Sequence, residues 1–286
     1  MAGKNEKRCR SRTEAALRTC PQTIQPNQRN YVMALTQLSL SLAGTLLIAL
    51  AATVPARAAN PVKNVVIVHG ALADGSGWRK VHDLLIGKGF NVTIVQPPMT
   101  TLDADVTAAK RILDLQDGPS ILVGHSYGGM IITEAGNADN VAGLVYIAAF
   151  QPDAGETLLD LAGQTPAATT GIKATADAFL YLDPKVYAAD FAADVPAAEA
   201  KFMAHSQVFP SKVAFETRIT QPAWKTKKSW ALIATADRAI NPELMRTMAN
   251  RAGSTAVEVE GSHAVFMSRP QAVADLIEKA AKASAM

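Results

Sequence analysis

Eleven residues constrain this chain more than any other stretch: Pro119 to Gly129, reading P-S-I-L-V-G-H-S-Y-G-G. A short apolar run, Ile121 to Val123, meets Gly124, and a polar corner leads to Gly128 and Gly129. The segment after them, Met130-Ile131-Ile132-Thr133-Glu134-Ala135, has the composition of a helix. Strand, tight turn, helix is the setting in which G-x-S-x-G reads as a nucleophile elbow. A serine forced into a strained turn at a strand's end projects its hydroxyl above the sheet. The flanking positions must then lack side chains, because strand and helix pass close to them, which accounts for Gly124 and Gly128. The turn also opens a helix, whose unpaired N–H groups and positive dipole end suit a developing anion.

A serine hydroxyl is a poor nucleophile until a base takes its proton, and that base must be oriented by a buried carboxylate. Both partners must therefore come from the ends of other strands. Val62 to Val68 (V-K-N-V-V-I-V) is a β-branched run bounded by Pro61 and Gly70, as a buried parallel strand requires. A helix from Trp78 to about Lys88 follows, with Trp78, Val81, Leu84 and Leu85 at helical spacing, and then a strand at Val92 to Val95. Asp103 or Asp105 can cap the next helix, whose apolar face is Val106, Ala109, Ile112 and Leu113. After the elbow come a strand at Val141 to Phe150, another at Ser229 to Thr235, a last one at Val257 to Val259, and a closing helix from Pro270 to Lys282. Such alternation predicts an α/β fold: right-handed crossovers and a mostly parallel sheet of about six strands with helices on both faces.

The order Ser, then Asp or Glu, then His is the one this kind of fold uses. Ser126, Asp237 and His263 satisfy it, each just beyond a strand at the sheet's carboxyl edge, where such sheets bind ligands. Asp153, after the strand that follows the elbow, is the second candidate for the acid. His69 and His125 read as structural hydrogen-bonders beside the site, His82 as a helix residue near the surface, and His205 as a cap residue for which substrate contact is the minor reading. No H-E-x-x-H, EF-hand, Walker or G-x-G-x-x-G pattern occurs, so no metal and no cofactor is expected.

Taken together, His69-Gly70-Ala71, G-H-S-Y-G-G, Ala148-Ala149-Phe150 with Pro152-Asp153-Ala154-Gly155-Glu156, Asp237, and Gly261-Ser262-His263 resemble the α/β-hydrolase superfamily. They are most similar to its smaller plant-esterase and hydroxynitrile-lyase-like branch, over roughly residues 62 to 284. The resemblance implies an oxyanion hole from the Ala71 and Tyr127 N–H groups. It also implies a helical cap over residues 151–221, where the alternation stops and short pieces are broken at Pro166, Pro184, Pro196 and Pro210. The cap's large apolar residues include Phe179, Leu180, Tyr181, Phe191, Phe202, Met203, Phe209 and Phe215; most are expected to pack it on the core. The lyases of that branch carry a lysine directly after the histidine and a threonine at the place of Gly70. Here Ala264 and Gly70 stand there, and both depart from lyase chemistry.

Residues 1–58 read as a secretory leader. Nothing charged lies between Asn30 and Ala56, Leu38 to Val54 is apolar, and Ala56-Arg57-Ala58 before Ala59 is a small-residue cleavage pattern. An uncleaved anchor is the other reading, since the run is at the short edge of a spanning helix. Translation could also start near Met33. This segment holds eight of the 28 Lys and Arg and two of the 25 Asp and Glu, which leaves the remainder at −3. The basic balance thus belongs to the leader and points to no nucleic-acid partner. Cys9 and Cys20 also lie there, which excludes a thiol nucleophile or disulfide framework in residues 59–286.

The expectation from sequence is a periplasmic or secreted serine esterase, monomeric or homodimeric, that cleaves small or medium carboxylic esters through an acyl-enzyme. It would not stay in a membrane once the leader is removed. A hydroxynitrile lyase-like activity, or a slow-turnover ligand-binding protein on the same fold, are the alternatives.

Overall fold

A computed structural model describes residues 62–285. The expected leader, its expected Ala58-Ala59 boundary and both cysteines lie outside them. In chain order the strands are β1 (Asn64–Val68), β2 (Asn91–Val95), β3 (Ser120–Ser126), β4 (Val141–Ala149), β5 (Ile172–Ala174), β6 (Leu180–Leu182), β7 (Ser229–Ala234) and β8 (Thr255–Val259). β5 and β6 pair only with each other. The other six form one sheet in the order β2-β1-β3-β4-β7-β8, and every neighbouring pair is parallel.

Hydrophobic runs sit where both faces are covered. β1 and β3 are buried at every residue, whereas β8 at one edge has no buried residue. Because side chains alternate between faces, full burial of β3 requires a helix layer on each side. The helices Leu102–Leu113 and Gly128–Ala135 pack together as one pair, and Arg79–Gly87 packs with Pro270–Ala283 as another. Ile67, Ile121, Leu122 and Ile147 lie wholly inside, each stabilising the fold by about 1.5–3 kcal/mol through burial.

Local chemistry sets most boundaries. Asn241 caps the helix Pro242–Arg251 by accepting the Glu243 N–H, with proline at the first position. The helix Leu102–Leu113 is capped by Thr101, whose hydroxyl accepts the Ala104 N–H at 3.1 Å, and not by Asp103 or Asp105. Asp105 is instead drawn inside, for a reason that belongs to the site.

Between β4 and β7 lie the helices Leu158–Gln164, Pro184–Asp190, Ala197–His205 and Lys212–Glu216. Pro184 and Pro196 begin helices here as much as they interrupt them. These helices form the expected helical cap, joined within it by the short antiparallel β5–β6 hairpin. Its turn is closed by Thr175, whose N–H donates to Phe179 O at 2.8 Å while its hydroxyl accepts the Phe179 N–H at 2.9 Å. Strands of three residues are too short to show a period, so nothing in the pattern announces them. Among the described residues no helix is long and apolar enough to cross a membrane.

Candidate active site

A parallel sheet sends all its carboxyl ends to one edge, and four of them deliver the relevant residues. β1 leads to Gly70 and Ala71, β3 ends on Ser126, β7 leads to Asp237 and β8 to His263. Ser126 has φ +53, a conformation an L-residue with a side chain rarely adopts. The strain is held by close backbone approach on both sides. A Cβ on Gly124 would lie 2.6 Å from Gly128 O, and one on Gly128 would lie 2.5 Å from Val68 O. Gly70 is equally confined: a Cβ there would stand 2.6 Å from Cβ of Ser126, so the loop carrying Ala71 runs directly against the serine.

His263 is 1% exposed and Asp237 5% exposed, and they meet. Nδ1–H of His263 donates to Asp237 Oδ2 at 2.6 Å. Asp237 Oδ1 accepts the N–H groups of Ala239 at 2.7 Å and Ile240 at 2.9 Å, which fixes the carboxylate's orientation. The contact on Nδ1 leaves Nε2 as the nitrogen available to a hydroxyl. Ser126 is 8% exposed, so all three residues are buried.

Asp153 is placed elsewhere. It pairs with Lys225 at 2.5 Å and accepts the Ala154 N–H at 2.6 Å, half-buried and apart from the histidine. His125 donates from Nε2 to His263 O at 2.9 Å, tying the elbow to the histidine loop. Burial first, then the neighbouring His263, hold the His125 ring well below the ordinary histidine range, so it stays neutral. His69 donates from Nδ1 to Gly70 O at 2.9 Å, and its Nε2 lies 3.1 Å from the Gln96 side chain. His82 pairs with Asp83 on the surface, and His205 is exposed at the end of its helix.

Asp105 is a site residue that the sequence reading missed. It is fully buried and accepts the Tyr127 hydroxyl at 2.6 Å and the Met99 N–H at 2.7 Å, so it anchors the residue next to Ser126. Burial pushes its carboxyl from 3.8 up to about 6, against the pull of those two donors. A carboxyl raised in this way binds its proton more tightly in the folded than in the unfolded chain. Its contribution to stability is therefore lost as pH rises through that interval. Relative to the parent, Asp105→Asn should gain on the order of 2–3 kcal/mol of stability between about pH 4 and pH 7. Urea titrations at the two pH values measure this, and a constant difference would count against a raised carboxyl.

Two cap aromatics reach the site. The Phe191 ring meets the His263 ring edge-on at 4.6 Å, and Phe215 packs on Tyr127 at 5.2 Å. Phe202 and Phe209 are exposed, while Tyr181 stacks on Phe209. A cleft of about 590 Å³ lies between the 73–83 turn and the cap helix Ala197–His205, but Ser126, Asp237 and His263 do not line it. Among the described residues no cluster of His, Cys, Asp and Glu is arranged to hold a metal. The structure brings His263 and Asp237 into contact and sets a strained, buried serine at the same sheet edge; residues of these kinds are those that acyl transfer by nucleophilic attack requires.

The fold is met in proteins of known kind. The family model described as the alpha/beta hydrolase family matches residues 65–276. A carbendazim hydrolyzing esterase of Nocardioides sp. (strain SG-4G) is 35% identical over 116 residues, 34% of this chain and 46% of that one. Salicylic acid-binding protein 2 of Nicotiana tabacum is 27% identical over 260 residues, 77% of this chain and 98% of that one. The match thus spans less than half of the esterase's length and nearly all of the tobacco protein's. The crystal structure of a pyrethroid hydrolase superposes with a TM-score of 0.69 at 25% identity, over 79% of this chain and 100% of that one. With the sheet order, the elbow and a match over most of its length, this chain belongs to the alpha/beta hydrolase family, and its similarity to the tobacco protein supports the plant-esterase-like branch.

Proposed function

We propose that the protein is a serine hydrolase of small or medium uncharged carboxylic esters, with Ser126, His263 and Asp237 as its triad. The observation that carries this reading is the buried 2.6 Å contact between His263 and Asp237, at the same sheet edge as a serine with positive φ. Ser126 Oγ attacks the ester carbonyl carbon while His263 Nε2 takes the hydroxyl proton. The oxyanion of the tetrahedral intermediate is met by the N–H groups of Ala71 and Tyr127. His263 then returns the proton to the departing alkoxide, the C–O bond breaks, and the acyl group remains on Ser126. Water, deprotonated by the same nitrogen, frees the acid and restores the serine. The esterase and hydrolase names of the relatives support this class of reaction. Ala264 and Gly70 weigh against the lyase reading, because they stand where the lyases carry lysine and threonine.

The burial of all three residues supports a limit on substrate size. Across p-nitrophenyl esters of increasing acyl length, each methylene should improve kcat/KM by up to about fourfold, equivalent to about 0.8 kcal/mol, until the space is filled. Longer esters should then react more slowly, with no activation by an emulsion. A steady rise to long acyl chains, or a jump when substrate forms droplets, would make the protein a lipase. No turnover of any ester would favour a ligand-binding role.

A periplasmic or secreted location is part of the proposal. Expressed in a Gram-negative host, the processed chain should begin near Ala59 in the periplasmic fraction. N-terminal sequencing that finds residues upstream of Leu38 on a membrane-bound species would favour the anchor instead.

A further inference from the structure

One stretch of the cap, Tyr187–Asp194, touches all three loops that carry the proposed machinery outside the elbow. Tyr187 is buried and donates its hydroxyl to Leu72 O at 2.8 Å, in the loop that begins with Ala71. Asp190 accepts Arg238 Nε–H at 2.8 Å, one residue beyond Asp237, and its other oxygen accepts the Thr169 hydroxyl at 2.7 Å. Phe191 O accepts the Ala264 N–H at 2.9 Å, and its ring stands edge-on to His263. Asp194 accepts twice from Ser262, from the hydroxyl at 2.5 Å and from the N–H at 3.2 Å. The residues immediately before and after His263 are therefore both held by this stretch, as is the residue after Asp237.

We infer that Tyr187–Asp194 is a positioning clamp for the catalytic loops, in which Asp194 sets the histidine loop through Ser262 and Asp190 sets the acid loop through Arg238. The inference rests on the roles proposed above for Ser126, His263 and Asp237. Its physical basis is the tolerance of proton transfer to misplacement. His263 sits four residues past the end of β8, where no sheet ladder holds the backbone. A catalytic group must be held to within about half an ångström, and a shift of about 1 Å costs on the order of 10²-fold in rate. The carboxylate of Asp194, with two acceptors on adjacent donors of one residue, fixes both the backbone and the side chain of Ser262. Asp190 and Asp194 act through other residues and are positioning residues. The cap on this account is a structural member of the active site as well as its cover.

The test compares Asp194→Ala, Ser262→Ala and the double variant, with Asp194→Asn as the conservative change and Glu199→Gln as control. Glu199 joins the cap to the core through Lys80 at 4.0 Å, away from the catalytic loops. Two quantities are read: kcat and KM for p-nitrophenyl butyrate per titrated active site, and amide hydrogen exchange in the peptide spanning residues 260–266. Asp194→Ala should lower kcat about 10- to 100-fold with KM within about twofold, and should speed exchange of that peptide about tenfold. Asp194→Asn, which keeps one acceptor, should recover part of both. The double variant should lose far less than the product of the two single losses, because both remove the contact between the Ser262 hydroxyl and Asp194, and Ser262→Ala adds only the loss of the longer 3.3 Å bond from the Ala264 N–H. Glu199→Gln should change neither quantity.

An unchanged exchange rate in Asp194→Ala would overturn the clamp, as would a full kcat in a protein whose loop had loosened. Additive losses in the double variant would overturn the route through Ser262. If Asp194→Ala does not fold, Asp194→Asn and Ser262→Ala carry the same two readouts. If the unmodified protein turns over no ester, the ester-hydrolase reading fails by itself, and the exchange rates still decide the clamp.

Discussion

Ser126→Ala should lower kcat for p-nitrophenyl butyrate by about 10⁴- to 10⁶-fold, the scale seen when a triad serine is removed. The loss is chemical, because the oxygen proposed to carry the acyl group is gone while the proposed oxyanion hole and the histidine remain. Folding should survive. The side chain at position 126 is small, alanine meets the same positive φ that serine already tolerates, and the glycines that shape the turn are untouched. Circular dichroism and the denaturation midpoint should therefore be close to those of the parent. A folded Ser126→Ala protein that kept most of its activity would remove this residue from the role.

Asp237→Asn should cost on the order of 10⁴-fold in kcat, and the geometry shows why. The carboxylate has divided labour: Oδ1 receives the Ala239 and Ile240 N–H groups, and Oδ2 receives His263 Nδ1–H. An asparagine has one acceptor, and the two loop donors would claim it. Its NH₂ group would then face Nδ1 and force the ring's proton onto Nε2, the nitrogen proposed to accept from Ser126. Asp153→Asn should lower kcat by less than about threefold, since its partners are Lys225 and the Ala154 backbone. Steady-state kinetics of the two variants side by side measure the contrast, and the reverse order would put the acid on the other strand.

Much of this architecture is legible in the sequence, and what is legible shares a cause. β1 and β3 read as strands because burial on both faces demands unbroken β-branched and aliphatic residues, which V-V-I-V and I-L-V display. The elbow reads because its steric demands leave only glycine at Gly124 and Gly128. Asp237 and His263 are legible because each follows a strand in the right order, and the structure brings these two into contact.

What stayed hidden has no local signature. Asp105 looks like a helix cap, because Asp near a helix start usually is one. Only the tertiary fold brings the Tyr127 hydroxyl and the Met99 N–H to it. Asp190 and Asp194 are two acids in an alanine-rich insertion, and their partners lie 48 and 68 residues away in the chain. The β5–β6 hairpin is closed by one threonine. Long-range hydrogen bonds leave no period to read.

The central claim is that Ser126 is the nucleophile, activated by His263. The most direct measurement is labelling with a fluorophosphonate, followed by intact mass and peptide mapping. In that reaction the serine oxygen forms a bond to phosphorus, fluoride leaves, and His263 takes the proton. One adduct per chain is expected, on the peptide that contains Ser126, with activity lost in proportion to labelling. Labelling should be absent in Ser126→Ala and slowed at least about 100-fold in Asp237→Asn. An adduct on any other residue that tracked the loss of activity, or full activity in a chain labelled at Ser126, would contradict the assignment.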